Sequence, residues 1–101
     1  MTDEAIKIAK RKAAQSVCHY KVSALGFNKR GEIICCLNNR PRFTRYGGGL
    51  HAEMRVVANY PSVHTILLVR IGEKGKLLPI HPCSRCQKIL NKLKVKVVTA
   101  L

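Results

Sequence analysis

At 101 residues the chain is long enough for one domain with a buried core and too short for two. Hydrophobic residues make up 47%, which excludes a disordered chain even though 19 basic residues face 5 acidic ones. The net charge of +14 has no detachable basic tail behind it, since 10 basic and 3 acidic residues precede His51 and 9 and 2 follow from there; its field attracts phosphorylated ligands or nucleic acid and says nothing of a reaction.

Residues 3–17 place Ile6, Ala9, Ala13 and Val17 at helical spacing, with acids in the first turn, and predict an amphipathic helix. Residues 20–27 and 32–37 are β-rich runs around Asn28-Lys29-Arg30-Gly31, the signature of an antiparallel hairpin. Residues 38–50 lack periodicity, contain Pro41 and three consecutive glycines, and read as a loop. A short helix is expected over 51–60, ending before Pro61, and a strand over 64–71. A turn at 72–75, an extended stretch at 77–81, a helix over 83–93 and a strand over 95–99 complete the order. Strands that alternate with helices favour an α/β fold whose later strands run parallel through right-handed crossovers.

His51-Ala52-Glu53 opens one predicted helix and Pro82-Cys83-Ser84-Arg85-Cys86 opens another. The Cys83–Cys86 spacing puts both sulfurs on one face of a first turn, where the helix dipole favours thiolate, the form that binds zinc. His51 completes three protein ligands and leaves the fourth tetrahedral position to water, as a catalytic site requires. Glu53 stands as the neighbouring proton carrier, because zinc lowers the pKa of water from ~15.7 towards ~7 and a nearby carboxylate can take the proton. The alternative is a closed structural zinc site completed by His81, Cys35 or Cys36. Cys18, Cys35 and Cys36 read otherwise as small buried hydrophobes, and His19 and His64 as polar residues at strand borders.

Together the two segments resemble the H-x-E…P-C-x-x-C signature of the zinc-dependent cytidine and deoxycytidylate deaminase superfamily. The resemblance implies a single domain over 1–101, built as a three-layer α/β/α sandwich on a mixed sheet of about four strands. It also implies one zinc per chain on His51, Cys83 and Cys86, with Glu53 catalytic. Cys83-Ser84-Arg85-Cys86-Gln87 followed by Ile89-Leu90 is similar to nucleoside cytidine deaminases, as is the strand ending Val69-Arg70. His51 as first ligand and Asn39-Arg40-Pro41 are more similar to deoxycytidylate and tRNA adenosine deaminases. Asn39 resembles the asparagine that contacts the substrate sugar, and Ala52 lies within the motif as a further substrate-contact candidate.

Arg40, Arg42, Phe43 and Arg45 form a basic, aromatic loop that suits phosphate and base contacts and equally suits a solvated surface. The expected reaction is hydrolytic deamination of cytosine in a nucleoside or nucleotide to uracil and ammonia. The alternatives are a deaminase of single-stranded DNA or RNA, acting on cytosine or adenine, and an inactive zinc-bearing nucleic-acid-binding protein. An odd number of cysteines and the absence of any run of ~20 apolar residues point to a cytoplasmic protein without a membrane span. Residues 95–99 are expected to form an edge strand, because related deaminases carry a further strand there, and the uncovered edge predicts a homo-oligomer, a dimer or tetramer.

Overall fold

The computed structural model describes residues 3–41 and 49–100. Helix α1, Asp3–Ala14, carries acids in its first turn and Arg11 and Lys12 in its last, so both termini complement the helix dipole. It presents Ala5, Ala9 and Ala13 to the sheet, and these small side chains let the helix lie close. The helix stops three residues short of the predicted Val17. Gln15 and Ser16 donate to the carbonyls of Lys12 and Ala13 in a tightening last turn, and the buried Ser16 hydroxyl accepts from the Cys18 amide, turning the chain away. Val17 is thereby left 80% exposed.

Strands β1, Lys21–Phe27, and β2, Ile33–Asn38, form the predicted hairpin. Its connection is organised by Asn28, whose side-chain oxygen accepts from the amides of Arg30 and Glu32, and by Gly31 at φ 84°, a conformation that favours glycine. Within the region expected to be a loop, β3, Arg40–Pro41, pairs antiparallel with β4, Gly49–Leu50. Helix α2, Ala52–Asn59, leads through a corner into β5, Thr65–Ile71. A 3₁₀ turn, Glu73–Gly75, precedes the short β6, Leu77–Leu78; helix α3, Ser84–Lys92, then leads into β7, Lys96–Thr99.

The main sheet has five strands, one more than expected, because β6 and β7 share one flank of β5. β1 runs antiparallel along the whole other flank of β5, with Lys21 opposite Ile71 and Phe27 opposite Thr65. β7 lies parallel to the first half of β5, from Thr65 opposite Lys96, and β6 antiparallel to its end, at Arg70 and Ile71. The predicted parallel arrangement therefore holds for β7 alone, and the sheet is mixed.

Alternation along β1 and β5 divides the core into two layers. Leu25, Leu67, Val69 and Ile71 pack with the alanines of α1. Val22, Ala24, Ile66 and Leu68 pack on the other face with Ala52 and Val56 of α2, Leu90 of α3, Val63 and Val95. The result is a three-layer α/β/α sandwich. Gly26 is buried in β1 because a side chain there has no room: a Cβ would stand 2.7 Å from Cys35 Sγ, 3.2 Å from Val63 and 3.3 Å from Val56.

Connectivity fixes where the helices begin. α2 ends at the corner that starts β5, and α3 ends where β7 starts, opposite Thr65. Both helices consequently run back along the sheet, and their N-termini lie towards the Ile71 end of β5. No helix among the described residues is long and apolar enough to cross a membrane.

Candidate metal centre

His51 is the N-cap of α2, with extended backbone at φ −68° and ψ 142°, and Cys83 is the N-cap of α3 at φ −65° and ψ 162°. Capping of α3 is done by sulfur, since the Cys86 amide donates to Cys83 Sγ at 3.4 Å. The cap positions turn two side chains of different helices towards one point. His51 Nδ1 lies 3.0 Å from Cys86 Sγ and 3.7 Å from Cys83 Sγ. The ligand atoms of His51, Cys83 and Cys86 all lie within 4.8 Å of one another.

Glu53, in the first turn of α2, is 3% exposed, and its Oε1 is 3.4 Å from His51 Nδ1. A buried carboxylate beside an imidazole and two sulfurs, on a chain with only 5 acidic residues, is an arrangement that ordinary surface chemistry does not require. The two thiols are differentiated. The hydrogen bond from the Cys86 amide holds the Cys83 thiol below its ordinary value. Burial pushes the Cys86 thiol up, helped by hydrogen bonding with Cys83 and by the Glu53 carboxylate. An imidazole nitrogen and two sulfurs at this separation fit zinc, which takes nitrogen and sulfur donors and draws thiols into their deprotonated form.

Three ligands gather at the centre, and the residues considered for closing it are placed elsewhere. Cys36 packs in the α1 layer, on the other face of the sheet. Cys35 packs under α2 against Gly26, and burial raises the thiol of each. His81 is exposed and lies outside the cluster. Cys18, Cys35 and Cys36 are half-buried, less enclosed than expected for core residues.

Ala52 is fully buried and belongs to the core. The Asn39 side chain is taken up by the protein: its oxygen accepts from the Ser16 hydroxyl at 2.6 Å and the Val22 amide at 3.1 Å, and its nitrogen donates to the Tyr20 carbonyl at 2.7 Å. Arg40 is exposed in β3. Arg42, Phe43 and Arg45 lie outside the described residues. Arg55 was missed by sequence reasoning; its guanidinium donates to both the carbonyl and the side-chain oxygen of the buried Asn38, at 2.6 and 3.1 Å. It thereby ties α2, two residues after Glu53, to the end of β2. The signal was available, because Arg55 follows His51 by one turn on a helix whose neighbours are apolar.

The sandwich and the His51, Cys83 and Cys86 cluster agree with what the comparisons find. The chain, over residues 1–101, matches the cytidine and deoxycytidylate deaminase zinc-binding region, and it belongs to that family. Cytidine deaminase from Mycobacterium tuberculosis shares the fold at a TM-score of 0.66 and 20% identity, over 100% of this chain and 86% of that one. A mutant of that enzyme with glutamine in place of one glutamate gives 0.66 and 20%, over 100% and 87%. A comparison with curated proteins finds no match.

Proposed function

We propose that this protein hydrolyses the exocyclic amino group of a cytosine base, carried by a nucleoside or nucleotide, to give uracil and ammonia. The observation that carries the reading is the buried Glu53 carboxylate held 3.4 Å from the imidazole that converges with two cysteine sulfurs. His51, Cys83 and Cys86 would hold one zinc ion, which when bound supplies Lewis-acid activation of water at neutral pH.

The protein's own part is proton traffic and exclusion of water. Glu53 accepts a proton as the water oxygen bonds to C4 of the ring, and delivers it to N3. The same carboxylate then passes the remaining hydroxyl proton to the amino nitrogen. The C4–N bond breaks with its electron pair leaving on nitrogen, ammonia departs, and the C4 carbonyl of uracil forms. Burial keeps Glu53 in a medium where its charge is felt strongly by the reacting ring. In the first turn of α2 the amides have no carbonyl of their own helix to bond, so the Ala52 N–H is the part of that residue offered to the substrate. Arg40, with Arg42, Phe43 and Arg45, is proposed to meet the substrate's sugar and phosphate side. Asn39 acts by fixing the segment from Ser16 to Val22.

Five free thiols suit a reducing cytoplasm. β7 pairs only with β5 among the described residues, and Ile89 and Leu93 of the neighbouring α3 region are 37% and 54% exposed, which supports a homo-oligomer. Ammonia release by zinc-loaded protein, on a panel of cytosine nucleosides and nucleotides, tests the reading. Glu53→Gln should keep the metal and lose about 10²–10⁴-fold in turnover. An active Glu53→Gln protein overturns the assignment.

A further inference from the structure

Beyond the metal centre, a buried side-chain nitrogen among the described residues, Arg70 Nε, has been left without a partner. Arg70 sits near the end of β5, at a position whose alternation with Ile66 and Leu68 sends its side chain to the face that carries α2 and α3. Its guanidinium carbon is 4.5 Å from the centroid of the Tyr20 ring, and His19 meets the same ring edge-on at 5.1 Å between centroids. Arg70 Nε is buried and has no hydrogen-bond partner. Among the described residues no carboxylate pairs with Arg70, and the one ion pair found is that of His51 with Glu53. A partly desolvated guanidinium with only a ring for company costs free energy that an anion would return.

The space beside it is suited to that anion. His19, Tyr20, Lys21, Arg70, Glu73 and Leu78 line a cleft of about 270 Å³. This is below the roughly 300–1,000 Å³ of a pocket that swallows a whole small molecule, so the cleft fits one group of a larger ligand. Glu73 is the only acid in the lining, it is exposed, and Lys74 follows it directly. The cleft lies at the Ile71 end of β5, the end towards which the N-termini of both metal-site helices point, and Arg70 shares their face of the sheet.

We infer that Arg70, braced by Tyr20, binds the phosphate of a nucleoside monophosphate, so that the substrate is a nucleotide and Arg70 helps to determine that specificity. The identity of the nucleotide rests on the deaminase reading above; the anion site does not. A guanidinium suits this task because its planar fork can grip two phosphate oxygens while its face remains on the tyrosine ring. Cation–ring stacking also restricts the side chain before the ligand arrives, which reduces the ordering cost of binding.

The test has an activity arm and a binding arm, both at about 150 mM salt to screen the diffuse +14 field. With zinc-loaded protein, Arg70→Ala should lower kcat/KM for cytosine nucleoside monophosphates by about 10–100-fold, the loss of one strong charge-assisted contact. Activity on the matching nucleosides should stay within about twofold, and Arg70→Lys should fall between. Equal losses on nucleoside and monophosphate, or no loss on either, overturn the inference. Greater Arg70 dependence on a cytosine-containing single strand than on the monophosphate also overturns it, in favour of a polymer substrate.

In the binding arm inorganic phosphate is titrated and the backbone amides of Lys21, Ile71 and Gly72 are followed by NMR. Saturable shifts in the unaltered protein that vanish in Arg70→Ala support the site, and identical titrations of the two overturn it. Should Arg70→Ala not fold, the Arg70→Lys titration decides, with weakened binding supporting the site and unchanged binding overturning it. Zinc-loaded protein that turns over no cytosine compound, yet binds phosphate through Arg70, upholds the anion site and overturns the deaminase reading.

Discussion

The two faces of the sheet are built from the same strands and solve different problems. On the α1 face the helix offers alanines, the strands offer Leu25, Leu67, Val69 and Ile71, and the buried polar contact is a hydroxyl of Ser23 donating to the Ala9 carbonyl. Among the described residues no buried side-chain nitrogen or oxygen of that layer lacks a hydrogen-bond partner, and the layer contributes packing. On the opposite face the helix N-termini, which elsewhere in proteins are sealed by Ser, Thr, Asp or Asn, are capped by His51 and Cys83. A carboxylate is buried in the first turn of α2, and an arginine is half-buried at the end of β5. Chemistry is collected where local stability has been given up, and the apolar α1 layer can be read as what permits it.

The comparison predicts that substitutions on the two faces separate cleanly in their readouts. The largest effect is expected at the metal. Cys83→Ala removes one of three donors and should take the zinc content from one per chain to near none, measured on protein purified without chelator. Full zinc retention would break the assignment of the centre. On the α1 face, Leu67→Ala opens a cavity in a fully buried position and should cost about 2–5 kcal/mol of folding stability. Denaturant unfolding measures the loss, while zinc content and the KM of the remaining folded molecules stay unchanged. If KM moved with stability, the faces would not be independent.

Gly26→Ala is expected to cost less, about 1–3 kcal/mol, the range for overpacking. The new Cβ meets Cys35 Sγ at 2.7 Å, and Val63 and Val56 close behind it at 3.2 and 3.3 Å. Because Val56 belongs to α2, this change reaches the active face. It sharpens the comparison if turnover falls together with stability, in contrast to Leu67→Ala.

Element order and the residues that form the His51, Cys83 and Cys86 cluster were legible in the sequence because they rest on local signals: helical spacing, the Asn28–Gly31 turn, and helix starts rich in ligand-type residues. The short pieces of the expected loop were not. β3 and β4 have two residues each, too few to show a period, and they exist because neighbouring backbone is available for pairing, whereas β6 falls within the extended stretch expected at 77–81. The end of α1 was placed three residues late because Val17 fits the helical spacing, while the Ser16 hydroxyl that turns the chain at Cys18 is itself held by Asn39, 23 residues away, a contact no local pattern shows. Asn39 shows the same limit from the other side: its bonds to Ser16, Tyr20 and Val22 bring together residues far apart in the chain, which no local signal announces. Arg70 was legible in principle. It interrupts the alternation of Ile66 and Leu68 with a charge on a buried face, and the sequence reading noted it only within Val69-Arg70 as a point of resemblance, without a role.

The smallest change in stability is expected where the active face ends, at Leu93. This side chain is 54% exposed just past α3, with Ile89 one turn before it at 37%. β7 follows α3 in the chain, and its pairing among the described residues is with β5 alone. An exposed apolar pair and a sheet edge offer both side-chain area and backbone groups to a second copy of the chain. Lys94 and Lys96 interrupt the edge, and a net charge of +14 opposes association at low ionic strength. Leu93→Gln removes little that the isolated fold uses, so its folding stability should stay within about 0.5 kcal/mol of the unaltered protein. Self-association should weaken far more. Sedimentation of zinc-loaded protein at micromolar concentration and moderate salt is expected to show a dimer or tetramer, and Leu93→Gln to shift it towards monomer. An unaltered protein that sediments as an active monomer across that range would show that the edge is closed within one chain, and that the active face needs no second copy.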